Sequence, residues 1–169
     1  MTTAELLADA LERIREIVHE VCEGLTAEQL AFRPQPDANS IAWLIWHLTR
    51  IQDDHVADVA GTEQAWTADG WADRFALPFG TAETGWGQSA EQAGQVAVAS
   101  GHLLTGYYDA VSARSARFVR TVTDAELDRI VDERWDPPVT LGVRLVSVLA
   151  DDLQHAGQAA YLRGLVTRQ

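Results

Sequence analysis

The chain reads Trp43-Leu44-Ile45-Trp46-His47-Leu48 within an apolar segment that predicts a buried helix. Asn39 or Ser40 is placed to cap this helix, which is expected to reach about Ala60 before Gly61. An imidazole in such surroundings needs a polar or charged partner, because an unpaired buried polar group is costly. His47 is therefore the first candidate functional residue.

A second segment, near the C-terminal end of the sequence, reads Asp151-Asp152-Leu153-Gln154-His155-Ala156-Gly157-Gln158. Asp151 and His155 stand four residues apart, so on a helix they lie one above the other. At about 100° per residue they fall at one edge of the buried arc of that helix, with Gln158 beside them. Asp152 falls nearer the centre of the arc, so helix angles alone leave both aspartates open as the partner of His155.

The spacing of these residues is weak evidence by itself. His19 and Glu23 have the same separation on another predicted helix. Asp54 and Asp58 fall on the same side of their helix as His47, so they are expected to point inward with it. Facing helices assemble metal sites inside bundles, and it is the convergence of these groups that favours a metal centre.

Five further capping signals open predicted helices, at Thr2, Thr26, Ser89, Thr123 and Thr140. The first helix is expected to end near Gly24, and the segments after Thr26 and Thr123 to last one or two turns. The helix from Ser89 is expected to reach about Val122, and the last helix to reach about Val166. No segment alternates with the period of a strand, so the chain is predicted to be all-α.

Residues 61–88 interrupt the helical pattern with aromatic side chains interleaved with glycine and proline: Trp66, Trp71, Phe75, Phe79 and Trp86. This stretch predicts one long, mostly irregular connection between the second and third long helices, and long connections are often functional. It is expected either to form an apolar wall of a substrate pocket or to cover one end of the bundle. Four long helices with this connection predict a four-helix bundle spanning one domain, residues 1–169.

Composition limits the function classes. The 169 residues carry a net charge of −12 and include 13 arginines and no lysine, which argues against a nucleic-acid-binding surface. No apolar run is long enough for a membrane span, and no signal peptide is expected. Cys22 is the only cysteine, so a cytoplasmic protein is expected, with Cys22 filling space in the first helix.

Five motifs, in order and spacing along nearly the whole chain, resemble the DinB-like superfamily. They are Phe32-Arg33-Pro34, residues 39–48, Pro138-Val139-Thr140-Leu141, His155-Ala156-Gly157-Gln158 and Tyr161-Leu162-Arg163-Gly164. That superfamily includes metal-dependent thiol S-transferases and the N-terminal domain of mycothiol-dependent maleylpyruvate isomerase. The resemblance implies a four-helix bundle that binds a divalent cation, commonly zinc or nickel.

Carried over position by position, the resemblance implies that the metal ligands are His47, Asp151 and His155. It is the resemblance, and no helical angle, that favours Asp151 over Asp152. Relatives usually have His or Glu where this chain has Asp151. The shorter carboxylate is a harder oxygen donor, which leaves the identity of the metal open.

The implied function is that of a metal-dependent S-transferase, which activates a low-molecular-weight thiol for attack on a small electrophile. Mycothiol is the first candidate for this thiol. Three further residues are expected to lie around the ligands or beside the substrate: Asp54, His55 and Gln158. They are expected to orient the ligand imidazoles or to take a proton. His102 is a further candidate from the third helix, or an ordinary polar residue. A homodimer is expected, and the alternatives are a non-catalytic metal- or ligand-binding bundle and a stress-response interaction protein.

Overall fold

A computed structural model of the chain describes residues 1–168. Its helices are α1 Thr3–Cys22, α2 Ala27–Ala31, α3 Ile41–Ala60, α4 Ala65–Ala68, α5 Trp71–Phe75, α6 Ala90–Ala93, α7 Gly101–Val119 and α8 Leu141–Val166. A 3-10 turn, Asp124–Asp128, and two short strands, β1 Ile130–Asp132 and β2 Val139–Thr140, separate α7 from α8. The four long helices α1, α3, α7 and α8 form the bundle, which confirms the all-α prediction.

Local capping chemistry sets the starts of α1, α3 and α8 where the sequence predicts them. The Thr2 side chain accepts from the backbone of Glu5 and the Glu5 carboxylate accepts in return from Thr2, forming a capping box. At the start of α3 the Ser40 side chain accepts from the backbone N–H of Trp43, and at the start of α8 the Thr140 side chain accepts from that of Val143. Gly61 ends α3 in the left-handed conformation that glycine adopts without strain.

The prediction of one long helix from Ser89 to Val122 is wrong. The capping box of Ser89 exists, but α6 stops after four residues at Gly94. The chain is then non-helical until α7 begins at Gly101, and Val96 and Val98 are buried in this interval. A cap fixes where a helix begins and not where it ends, and here Val96 and Val98 pack in the core from a non-helical segment.

The long connection is required by the directions of the helices. Arg163, late in α8, donates to the carbonyl of Val21, late in α1, so these two helices run in parallel. The first residue of α7 packs against the last residue of α1, and Arg144, early in α8, contacts His55, late in α3. Helices α3 and α7 therefore run in the same direction, opposite to α1 and α8. The chain between them must return along the length of the bundle.

The small hairpin of β1 and β2 was not expected. Its strands pair antiparallel, with Ile130 opposite Thr140 and Asp132 opposite Val139. Strands of two or three residues are too short for an alternating pattern to be visible in the sequence. Among the helices that the structure describes, none combines the length and apolar character that a membrane crossing requires.

Candidate metal centre

His47 lies in the buried helix α3, and its side chain is only 5% exposed. Its neighbours in the helix, from Ile41 to Asp53, are all buried, because α3 packs against α8 on one side and α7 on another. The amphipathic pattern is therefore lost over this stretch of α3. The helix holds the imidazole inside the bundle, at the crevice between α3 and α8.

Helix α8 brings Asp151 and His155 to the same crevice. Each of the three residues offers one potential ligand atom, and these atoms all lie within 4.8 Å of one another. His155 Nε2 is 3.5 Å from Asp151 Oδ1, and the ring centroids of His47 and His155 are 4.9 Å apart. The structure thus brings together the three side chains that the resemblance selected.

Both imidazoles are oriented through Nδ1. In His47 this atom lies 2.6 Å from the carbonyl oxygen of Thr84, and in His155 it lies 3.1 Å from Oε1 of Gln158. Because both oxygens accept hydrogen bonds, Nδ1 carries the proton in each ring and Nε2 keeps its lone pair. Metal-binding histidines usually donate the second ring N–H to an oxygen in this way.

The donor set fits a divalent cation. Asp151 Oδ2 is buried and has no hydrogen-bond partner among residues 1–168. A buried carboxylate oxygen without a partner is costly, and a cation would satisfy it. Two imidazoles and one carboxylate form the ligand set of several catalytic zinc sites, which keep a further position for water or substrate.

The two histidines differ in their affinity for protons. Burial lowers the pKa of His47, and this effect outweighs the hydrogen bond to the carbonyl of Thr84 and the charge of Asp151. Burial opposes the charge of His155 as well, but hydrogen bonds to Asp151 and Gln158 and the charge of Asp151 together raise its pKa. At neutral pH His47 is therefore the more readily available ligand.

Asp152, the next residue of α8 after Asp151, lies inside the bundle. It is completely buried, and neither of its carboxylate oxygens has a partner within the described chain. Burial, helped by the charge of Asp151, raises the Asp152 pKa well above its usual range. Asp152 is not part of the cluster that contains the two histidines.

Part of the long connection covers the histidines. Gly85 has φ +94°, and a Cβ atom built on it would lie 2.7 Å from Nδ1 of His47. The Trp43 ring stacks on the His47 ring, with centroids 4.5 Å apart, and its Nε1–H donates to Gln88. Residues 83–88, which we call the 83–88 segment, therefore form one wall of the centre.

The aromatic residues of the connection have different environments. Trp66 and Phe75 are buried, and both pack against Tyr107 of α7. Trp71 is partly buried and also packs on Tyr107. Trp86 is 82% exposed. The first three cover the side of the bundle, and the contact with the histidines comes instead from the backbone around Gly85.

Asp54 and His55 are not part of the cluster of His47, Asp151 and His155, although the charge of Asp151 acts on His55. Asp54 accepts from Gln64, and His55 lies 3.1 Å from Arg144 and 3.7 Å from Asp54. They line a cavity of about 370 Å³ at the C-terminal half of α3. Burial, followed by the charge of Arg144, lowers the pKa of His55. His102 is exposed near the start of α7 and is not brought to the cluster.

The expectation that Asp54 and Asp58 point inward is wrong. Asp54 is about half-buried and Asp58 is exposed, and both line the cavity beside His55 and Arg144. The buried carboxylate of α3 is Asp53, which faces α7.

Cys22 is buried as expected, and burial raises the pKa of its thiol to about 12, so it is not a nucleophile at neutral pH.

Sequence reasoning missed the residues that orient His47. The partner of its Nδ1 is the backbone carbonyl of Thr84, which any residue type would provide, so no residue pattern marks it. In the sequence, Gly85 is one of several glycines in the irregular stretch 61–88. The signal that was available is the cluster of glycines at 85 and 87, both of which have positive φ.

A four-helix bundle with this crevice between its second and fourth long helices defines a DinB-like protein. The family model described as Mycothiol-S-transferase matches residues 6–168, and the chain belongs to this family. The structure is similar to a crystal structure described as that of the conserved protein of locus from Enterococcus faecalis, with a TM-score of 0.92 and 31% sequence identity. The match covers 100% of this chain and 99% of that chain. No curated protein matches the sequence.

Proposed function

We propose that this protein is a metal-dependent S-transferase that joins a low-molecular-weight thiol to a small electrophile. Mycothiol is the first candidate for the thiol. The observation that carries the proposal is the cluster of His47, Asp151 and His155, whose ligand atoms lie within 4.8 Å. Membership of the mycothiol S-transferase family supports mycothiol as the thiol. A non-catalytic metal-binding bundle with the same three residues is the alternative that the experiment below must exclude.

The three residues would hold zinc or nickel, with the carboxylate of Asp151 as the hard donor. The bound cation would supply one chemical effect, which is to lower the pKa of a thiol so that it is a nucleophile at neutral pH. The carbonyl of Thr84 and the amide of Gln158, which accept from Nδ1 of His47 and of His155, would leave both Nε2 atoms free to hold the cation.

The remaining residues act on the substrates. The stacked ring of Trp43 and the 83–88 segment exclude water from the His47 side of the centre. His55, kept neutral by its lowered pKa, is a candidate to take the thiol proton, and Asp54 lies beside it in the same cavity. In the reaction the thiol loses its proton and its sulfur forms a bond to the electrophilic carbon, while the bond from that carbon to its leaving group breaks and the leaving group departs with the electron pair.

We also propose that the protein is a homodimer formed through α8. The exposed side chains of α8 include Val143, Val146, Leu153 and Tyr161, and none of its exposed residues is charged. Interfaces are depleted in charge, and exposed apolar patches mark association sites. In a chain of net charge −12, this face is where two copies approach without repulsion.

Elemental analysis of the purified protein, beside that of a His47→Ala variant, tests the metal directly. About one equivalent of a transition metal is expected in the wild type, and much less in the variant. If neither protein carries metal, and neither binds zinc, nickel or manganese on titration, the proposed function is wrong. A protein that binds metal but consumes no thiol with any electrophile is instead the non-catalytic binder.

A further inference from the structure

We propose that Arg50 is a positioning residue of the metal centre, because it fixes the segment whose carbonyl orients His47. The inference rests on the proposed function in taking His47 as a metal ligand. Its structural part concerns only the orientation of the imidazole, and this part is measured without metal.

Arg50 joins the two ends of the long connection to α3. Its side chain is completely buried. The Nε–H group donates to the carbonyl of Glu83 at 3.1 Å, and one terminal nitrogen donates to Oε1 of Gln64 at 2.8 Å. A guanidinium is planar and rigid, so its acceptors lie at fixed positions around it. Through these two hydrogen bonds, Arg50 holds Gln64, near the beginning of the connection, and Glu83, near its end, at a fixed distance from each other.

His47 and Arg50 bind consecutive carbonyls of the connection. They are three residues apart in α3 and therefore lie on the same side of the helix. Arg50 contacts the carbonyl of Glu83 and His47 contacts that of Thr84, at 2.6 Å. Because one planar peptide unit joins Glu83 to Thr84, fixing the first carbonyl limits where the second can lie.

The guanidinium of Arg50 is itself held from several directions. Its terminal nitrogen lies 3.3 Å from the hydroxyl of Tyr107 and 3.8 Å from a carboxylate oxygen of Asp53. The ring of Trp66 lies 5.0 Å from the guanidinium carbon. Asp53 also accepts from the hydroxyl of Tyr107 and from the backbone of Ala65 and Trp66. Because the Arg50 guanidinium is already fixed by these contacts, it holds the carbonyl of Glu83 in place before metal binds, and little side-chain entropy remains to be lost on binding.

Arg114 provides a matched control. It also ties the connection to the bundle, through the carbonyl of Glu63 at 2.9 Å and the carboxylate of Asp69 at 2.8 Å. Its contacts lie in the first part of the connection and do not involve the 83–88 segment. The Arg114 side chain is 35% exposed, whereas that of Arg50 is completely buried. Replacing Arg114 therefore removes another arginine anchor of the connection, one without a direct link to His47.

The experiment compares Arg50→Met, Arg50→Lys and Arg114→Met with the wild type in two measurements. The first is the tautomer of His47 in metal-free protein, from the nitrogen chemical shifts of the ring. The second is the affinity for Zn²⁺, from competition with a chelator. Circular dichroism and thermal unfolding of the metal-free proteins report folding.

Wild type and Arg114→Met are expected to show His47 with the proton on Nδ1. Arg50→Met is expected to show both tautomers and to bind Zn²⁺ at least about tenfold more weakly, as is usual when a residue behind a metal ligand is removed. Arg50→Lys keeps the charge but reaches fewer acceptors, so an intermediate result is expected. If Arg50→Met does not fold, Arg50→Lys decides by the same criteria.

A folded Arg50 variant with the wild-type tautomer and wild-type affinity would overturn the inference. Equal losses in Arg114→Met would also overturn it, because Arg50 would then act only through general stability. If the wild type itself binds no metal, the proposed function fails, while the tautomer measurement still decides the role of Arg50.

Discussion

The Nδ1 atom of His47 lies 2.6 Å from the carbonyl oxygen of Thr84, thirty-seven residues later in the chain. This hydrogen bond connects the helix that carries a candidate ligand to the connection that crosses the bundle. It fixes which nitrogen of the imidazole is free, and it explains why the backbone must approach the ring closely at Gly85.

The two adjacent aspartates of α8 are expected to behave differently. Asp151→Asn removes a charged donor from the cluster, so the affinity for Zn²⁺ is expected to fall by roughly a hundredfold. Asp152→Asn is expected to keep metal binding, because Asp152 lies in the interior. Chelator competition on both variants measures this, and a greater loss in Asp152→Asn would reverse the assignment.

The burial of Asp152 also predicts how the stability of the metal-free protein depends on pH. Burial raises the folded-state pKa of Asp152, so the stability that its protonated form provides is lost as the pH rises through that value. Metal-free Asp152→Asn is therefore expected to be at least as stable as the wild type at pH 8. Thermal unfolding between pH 4 and 8 checks the sign.

Gly85 and Gly87 form a second matched pair. Both have positive φ, +94° and +73°, so the backbone strain of an alanine at either position is expected to cost roughly 1–2 kcal/mol of stability. Only at Gly85 would the added Cβ meet Nδ1 of His47. Gly85→Ala is therefore expected to weaken Zn²⁺ binding by about tenfold or more, and Gly87→Ala to leave it within about twofold. Equal effects on affinity would show that backbone strain alone is responsible.

Metal affinity is expected to fall with pH in two steps. Protons compete with the cation for both imidazoles. Because the pKa of His155 is raised, competition begins at this residue, with about one proton per metal as the pH falls. His47, whose pKa is lowered, adds the second proton only at more acidic pH. Zn²⁺ affinity measured from pH 5 to 8 tests this, and a flat profile would contradict two imidazole ligands.

Charge placed on the exposed face of α8 is expected to separate the dimer. Val146→Glu combined with Tyr161→Glu places like charges at two exposed positions along this face. Leu6→Arg changes an exposed apolar residue of α1 instead and serves as the control. Light scattering on eluted protein is expected to give a dimer for the wild type and Leu6→Arg, and a monomer for the double variant. A monomeric wild type would refute the interface.

The parts of the fold that sequence predicted are those set by local chemistry. Thr2, Ser40 and Thr140 cap helices where their side chains require, because capping depends on residues within one turn. The helix predicted from Ser89 failed for the opposite reason. Whether a helix continues past Gly94 depends on where the bundle buries the following valines, and a one-turn signal does not contain that information.

The candidate site divides in a similar way. Asp151 and His155 are four residues apart in one helix, so their proximity follows from helix geometry. The approach of His47 depends on how α3 packs against α8, and the resemblance supplied it. The partner of His47, the carbonyl of Thr84, comes from a segment with no regular structure, and only the folded chain reveals it.

The central claim is that His47, Asp151 and His155 hold a cation that activates a thiol. The most direct test is the consumption of mycothiol with a model electrophile such as monochlorobimane, by metal-loaded wild type and by His47→Ala at equal protein and metal concentrations. We expect turnover in the wild type that a chelator abolishes and added metal restores, with a loss of at least about a hundredfold in His47→Ala. Equal turnover in the two proteins, or turnover indifferent to the chelator, would contradict the account.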